Sequence, residues 1–221
     1  MGRTELLAVG LIAALTACGP SAVKEKEKAP VRLPLLGEPA IVSVEVNGQY
    51  VPDTVYPKIP GFTFTDQEGD TITAKTFDNK VYVADFFFTT CPTICPVMKS
   101  QLLRVYEAFA KDDRVLILSH SIDPEHDSVA VLKDYAERLQ VSADKWHFVT
   151  GEKDSIYSIA EHYMVSADED PTAPGGYIHS GAFVLIDAQK HIRGYYDGTK
   201  PEDVDQLIRD IPVLLDEQGG R

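Results

Sequence analysis

Val81–Met98 reads Val-Tyr-Val-Ala-Asp-Phe-Phe-Phe88-Thr-Thr-Cys91-Pro-Thr-Ile-Cys95-Pro-Val-Met98, and this stretch decides the fold. Val81–Phe88 is apolar on both faces, as a central parallel strand covered on both sides should be. Met98, Leu102, Val105, Tyr106 and Phe109 then repeat at helical spacing. Pro96 lacks an N–H and disfavours the helical conformation for the residue before it. Cys95 is therefore expected at the N-cap and Pro96 at the first helical position. A strand that turns directly into a helix carries both cysteines beyond its carboxyl end, where open α/β sheets bind ligands.

Downstream, Val115–Leu118 reads as a second buried strand. Val131, Leu132, Tyr135, Ala136 and Leu139 mark a helix capped by Asp127 or Ser128. Trp146–Val149 is a short strand, and Ile156, Ile159, Ala160 and Tyr163 give another helical face. Ser166–Tyr177 is a polar excursion with Pro and Gly. Gly181–Ile186 and Ile192–Tyr196 form a hairpin around Asp187–Lys190. Thr199-Lys-Pro-Glu202 has the form of a capping box, and Val204, Leu207, Ile208 and Ile211 line a last helix that Pro212 should kink or end. Upstream, Phe62–Thr65 and Ile72–Ala74 flank a turn at Asp66–Asp70, and Ile41–Tyr56 contributes a short leading strand or two. Right-handed crossovers make the first three core strands parallel, with helices on both faces and an antiparallel hairpin closing the sheet. The expected fold is α/β, a thioredoxin-like three-layer sandwich with a central mixed sheet and an N-terminal β-hairpin extension.

Cys91 and Cys95 lie near the positive end of a helix dipole, which brings a thiol pKa from about 8.5 to somewhere between roughly 3.5 and 7.5. The thiolate is both nucleophile and metal ligand. Three residues separate the pair, and that spacing does not choose between a disulfide, a redox couple and a metal site. Two soft thiolates favour Cu(I) or Zn over hard cations. A purely structural disulfide has no need of the sheet's functional edge. A peroxiredoxin reading fails, because Ala84 and Phe88 stand where its Pro and Thr should precede Cys91, and Pro92 stands where Thr should precede Cys95.

Among the six histidines, His126, His162 and His191 fall at polar positions and read as solvated. His120 ends the second buried strand and is weighed only for a supporting role at the same edge; His147 alternates with apolar neighbours and reads as structural. His179, in Gly175-Gly-Tyr-Ile-His-Ser180, immediately precedes the Gly181–Ile186 strand, and the loop entering that strand should pack across from the cysteine turn. Thiol oxidoreductases of the fold place a cis-proline there, and Pro174 is too far back to serve. Two sulfurs and one imidazole suit Cu(I), and also Cu(II). Met98 is a candidate weak axial ligand, but its spacing with Leu102 favours core packing.

The N-terminus carries an export signature. Arg3 precedes an apolar run, and Leu6–Ala17 is 12 residues, about 18 Å of helix, too short for a hydrocarbon core about 30 Å thick. Leu15-Thr-Ala-Cys18 resembles the bacterial lipobox, so residues 1–17 read as a lipoprotein signal peptide with Cys18 lipidated. Residues 18–40, with a Lys24–Lys28 charge run and prolines at 20, 30, 34 and 39, read as a tether, and 41–221 as one domain. The expected location is the bacterial cell envelope, anchored to a membrane and facing the extracytoplasmic space. The net charge of −13 over 221 residues argues against nucleic acid and fits a metal-cation handler or a basic docking partner.

Taken together, these residues resemble the Sco/SenC family of copper-binding assembly proteins for cytochrome c oxidase. The matching elements are Cys91-Pro-Thr-Ile-Cys95-Pro, Ser121-Ile-Asp-Pro-Glu125 with Asp127, the Thr150-Gly151 turn and Ile178-His179-Ser180. The resemblance implies one copper ion held by Cys91, Cys95 and His179, with Asp123 an acidic group near the site rather than a ligand. It implies a metallochaperone whose partner is oxidase subunit II, with its CuA site, or another copper-accepting protein. Family members usually have Asp before the ligand histidine, and Ile178 here removes that acceptor. The alternative is an enzyme, a thiol–disulfide oxidoreductase working through Cys91 and Cys95 without His179. A sensor is a third idea, for which the sequence offers no output module.

Overall fold

The computed structural model describes residues 32–219, so residues 1–17, Cys18 and most of the tether lie outside the described residues. Val81–Phe87 (β5), Val115–Ser121 (β6) and Trp146–Thr150 (β7) form the parallel centre of a seven-stranded sheet. Thr63–Asp66 (β3) and Thr71–Thr73 (β4) extend it beyond β7 as an antiparallel hairpin. Ala182–Ile186 (β10) and Ile192–Asp197 (β11) extend it on the other side, giving the order β11-β10-β5-β6-β7-β3-β4.

The alternation of β5 assigns the layers. Phe87 packs on Lys99 of Cys95–Phe109 (α1) and on Tyr135 of Val129–Leu139 (α2), so both helices cover one face. Phe86 and Tyr82 point the other way, onto Tyr163, which follows Lys153–His162 (α3). Pro201–Gly219 (α4) returns to the α1 face, where Arg104 pairs with Asp205. Every residue of β5 is buried, which is why its sequence shows no polar face. The expected three-layer mixed-sheet architecture is what forms.

Ala40–Val46 (β1) and Gln49–Val55 (β2) form the N-terminal hairpin. It pairs only with itself among the described strands. Its stems are pinned near the β10–β11 turn, where Leu36 N–H donates to Ile192 O at 2.9 Å and Ile59 N–H to Lys190 O at 2.8 Å. Leu33 and Pro34, within the segment 18–40 read as a tether, dock as well: Arg193 donates to both carbonyls and to Glu217.

Local readings shift in several places. Met98 N–H donates to Ile94 O, so Ile94 is the N-cap of α1 and Cys95 its first residue, one position earlier than expected. Ser128 is the N-cap of α2, but its side chain makes no capping bond. The capping box at Thr199 does not form: the Thr199 hydroxyl donates to Asp197 at 2.6 Å, and Val204 N–H donates to Lys200 O, one residue further on. Pro212 does not end α4. Leu214 and Leu215 beyond it are buried, and that packing outweighs the roughly 3 kcal/mol a mid-helix proline costs. The polar excursion contains two strands too short for periodicity to reveal, Ala167–Glu169 (β8) and Tyr177–His179 (β9), paired as a separate ribbon.

Candidate metal centre

The turn from β5 to α1 carries Cys91 and Cys95, and both sulfurs are free thiols in buried positions. Its entrance is tied down by Asp127. Thr89 N–H donates to Asp127 Oδ2 at 3.1 Å, the Thr89 hydroxyl donates to Oδ1, and Ser121 Oγ donates to Oδ2 at 2.5 Å. The carboxylate read as a candidate helix cap thus joins the cysteine turn to the end of β6.

His179 arrives from β9. Ala167 pairs with it across the ribbon, and Ser180 N–H donates to Ser166 O at 2.9 Å. Gly175, at φ +87°, lets the ribbon's tip pass over the turn: a Cβ there would lie 2.8 Å from Phe88 Cε2 and 3.3 Å from Pro92 Cδ. No side chain fits that gap without displacing the ribbon.

The result is a cluster in which the Cys91, Cys95 and His179 donor atoms all lie within 4.8 Å of one another. His179 Nε2 is 3.2 Å from Cys95 Sγ. Its Nδ1 lies 3.1 Å from Ser180 O, an atom that can only accept, so Nδ1 carries the hydrogen and Nε2 keeps its lone pair for the cluster. Burial lowers the His179 pKa, which the Ser180 bond only partly offsets, and this favours the neutral, ligating imidazole.

The two thiols differ, contrary to the expectation that the helix dipole lowers both. Burial pushes the Cys91 thiol up, but hydrogen bonds from the Thr93 backbone and hydroxyl and from Cys95 outweigh it, so its pKa is lowered. The Cys95 thiol is raised, first by burial and then by the hydrogen bond it shares with Cys91; Lys99 opposes this without prevailing. Of the two, Cys91 gives up its proton the more readily. A soft cation that displaces the thiol protons would meet two sulfurs and one imidazole, a donor set suited to Cu(I).

Asp123 does not reach the cluster: its Oδ1 accepts from Tyr177 OH at 2.8 Å. Ile178 is exposed on the opposite face of β9 from His179, and Ser180 O supplies the acceptor that a preceding Asp was expected to give. Met98 is fully buried in the core with Leu102. His120 is enclosed by Phe62, Phe64, Phe86 and Tyr163 rather than set at the edge. His147 Nδ1 donates to Asp66 at 3.0 Å, a structural role as read. His126 and His162 are exposed, while His191 is half-buried 3.5 Å from Asp187 rather than solvated.

One pair escaped the sequence reading. Lys99, one turn beyond Cys95, is buried with Asp85 of β5 at 2.6 Å and Ser119 at 3.3 Å, its ammonium 4.1 Å from the Phe87 ring centre. A charge inside an otherwise apolar strand was the available signal. Lys99 also lines a cavity of about 330 Å³ that reaches Cys91, Cys95, Leu103 and Tyr135.

A sequence model of the family described as SCO1/SenC matches residues 53–216. The chain belongs to the SCO1/SenC family. Its structure is similar to the crystal structure of a SCO1/SenC family lipoprotein from Bacillus anthracis (TM-score 0.66, 28% identity, covering 71% of this chain and 94% of that one). It is also similar to BsSco, described as a member of the Sco family of cytochrome c oxidase assembly proteins in which a disulfide switch was identified (TM-score 0.63, 29% identity, 72% and 94% covered). A third similar structure is Bradyrhizobium japonicum ScoI with copper bound (TM-score 0.58, 26% identity, 69% and 98% covered). Among the described residues no helix is long and apolar enough to cross a membrane.

Proposed function

We propose that this Sco protein binds one copper ion through Cys91, Cys95 and His179 and passes it to a copper-accepting protein. The observation that carries this is the convergence of two buried thiols and an imidazole within 4.8 Å. Copper is cargo here. Cys91 and Cys95 supply the soft donors, His179 adds a neutral third, and the buried setting excludes water that would compete for the metal. Family membership and the copper-bound relative support the same reading. The recipient we propose is oxidase subunit II, at its CuA site, following the described role of the Sco family in cytochrome c oxidase assembly. Cys18 carries the lipid in this proposal, holding the domain on a membrane and facing the extracytoplasmic space, as a lipoprotein relative supports.

The Cys91/Cys95 pair also favours a second reading, thiol–disulfide exchange, because Cys91 is the lowered thiol. The two are linked: a disulfide consumes both sulfur donors, so oxidation gates metal binding. Titrating Cu(I) against a colorimetric chelator with the reduced and the disulfide form separates them. A one-to-one complex with the reduced form alone is expected. Binding by the oxidised protein, or none by the reduced, would end the copper reading.

A further inference from the structure

His179 is carried by a three-residue strand outside the main sheet, in a ribbon of two strands. Such a ribbon has little rigidity of its own, yet its imidazole must meet two sulfurs held by a different part of the chain. Something has to register β9 against the cysteine turn.

Tyr177 does this. It lies two residues before His179 and therefore on the same face of β9. Its ring packs on Phe88, centroids 5.1 Å apart, and Phe88 in turn meets the His179 ring edge-on at 5.9 Å. Its hydroxyl donates to Asp123 Oδ1 at 2.8 Å. Asp123 is fixed by its own turn: its N–H donates to Ser121 Oγ at 3.2 Å, and its carbonyl accepts from Asp127 N–H at 2.8 Å. Asp127 holds the other half of the site through Thr89. The short Ser121–Asp127 segment thus grips the cysteine turn with one carboxylate and the histidine ribbon with the other.

We propose that Tyr177 is the positioning residue for the ligand histidine, its hydroxyl bond to Asp123 setting the register of β9 against the Cys91–Cys95 turn. This rests on the metal-binding reading above. It also gives Asp123 its part: the carboxylate acts through Tyr177 and does not touch the metal.

Tyr177→Phe tests it, since the ring stays on Phe88 and one O–H is lost. Substitutions behind a metal ligand typically cost 10–100-fold in affinity, so Cu(I) affinity should fall by about 10-fold or more in chelator competition. Circular dichroism and the rate of Cys91 alkylation should not change. In an Asp123→Ala background the same substitution should cost less than about twofold, because the bond is already gone. In the metal-free protein the ring signals of His179 should broaden or split in the Tyr177→Phe variant. A Tyr177→Phe protein that binds Cu(I) within twofold of wild type would overturn the proposal, as would an undiminished cost in the Asp123→Ala background. If the wild type itself takes up no Cu(I), the copper reading fails; the His179 ring signals then decide alone, unchanged signals overturning the positioning role.

Discussion

His179 Nε2 stands 3.2 Å from Cys95 Sγ although 84 positions separate the two residues. Three elements converge to make that contact: β5 delivers the sulfurs at its carboxyl end, β10 begins at the same end, and β9 leads into it. Removing the imidazole should therefore cost metal without disturbing the fold's centre. His179→Ala is expected to weaken Cu(I) binding by more than about 100-fold, beyond the range for residues behind a ligand. Chelator competition on the reduced protein reads this directly, and equal binding by variant and wild type would shift the function to thiol exchange.

The inequality of the two thiols makes a second expectation. Cys91 has the lowered pKa and Cys95 the raised one, so as pH rises the Cys91 thiolate forms first. A limiting amount of iodoacetamide near neutral pH should give a singly alkylated protein carrying the label at Cys91. Peptide mapping by mass spectrometry tells the sites apart, and label mainly at Cys95 would contradict the hydrogen-bond arrangement described above.

The donor set was readable in the sequence because each donor sits at a junction the topology fixes. Cys91 and Cys95 follow a strand that is apolar on both faces, and His179 shortly precedes the last hairpin. What could not be read depended on pairing in space. β8 and β9 have three residues each, fewer than a period-two pattern needs to stand out. The Asp85–Lys99 bond joins a strand to the helix behind it: a charge in an apolar strand marks Asp85, but no local pattern names Lys99 as its partner. The opposite shifts of the two thiols come from burial and from a shared hydrogen bond, neither of which spacing encodes.

That buried pair has its own test. Lys99→Met would leave the Asp85 carboxylate uncompensated, and breaking a buried pair by removing one partner costs about 3–5 kcal/mol. For a domain of this size the melting temperature should fall by roughly 10 °C. Replacing both residues, as Asp85→Leu with Lys99→Met, should recover most of the loss. A double variant no better than the single one would mean that the pair is needed for more than its charge balance.

The N-terminal hairpin should behave in the opposite way from the sheet. Val42, Val44, Val46, Val51 and Val55 share one face of it, and four of them are 37–49% exposed, whereas Val83 in β5 is fully buried. Val83→Ala should cost about 2 kcal/mol from lost burial and the cavity left behind. Val44→Ala, half-buried within the hairpin, should cost less than about 1 kcal/mol. Denaturant unfolding of the two variants measures both, and a Val44→Ala cost equal to that of Val83→Ala would mean that the hairpin unfolds together with the domain.

His120 sets a limit at acid pH. Burial is the main cause of its shift, holding its pKa down at about 4, while its bond toward Asp85 O at 3.4 Å only partly compensates. A base whose folded pKa lies below its unfolded value near 6.5 binds more protons when unfolded across the interval between them. Its contribution is therefore complete above about pH 6.5 and is lost progressively as pH falls toward about 4, a loss of roughly 3 kcal/mol. His120→Phe keeps an aromatic ring among Phe62, Phe64, Phe86 and Tyr163 and carries no proton. Its unfolding free energy should fall less steeply than that of the wild type between pH 6.5 and 4. Parallel slopes for the two proteins would place the acid sensitivity on other groups and leave His120 without a part in it.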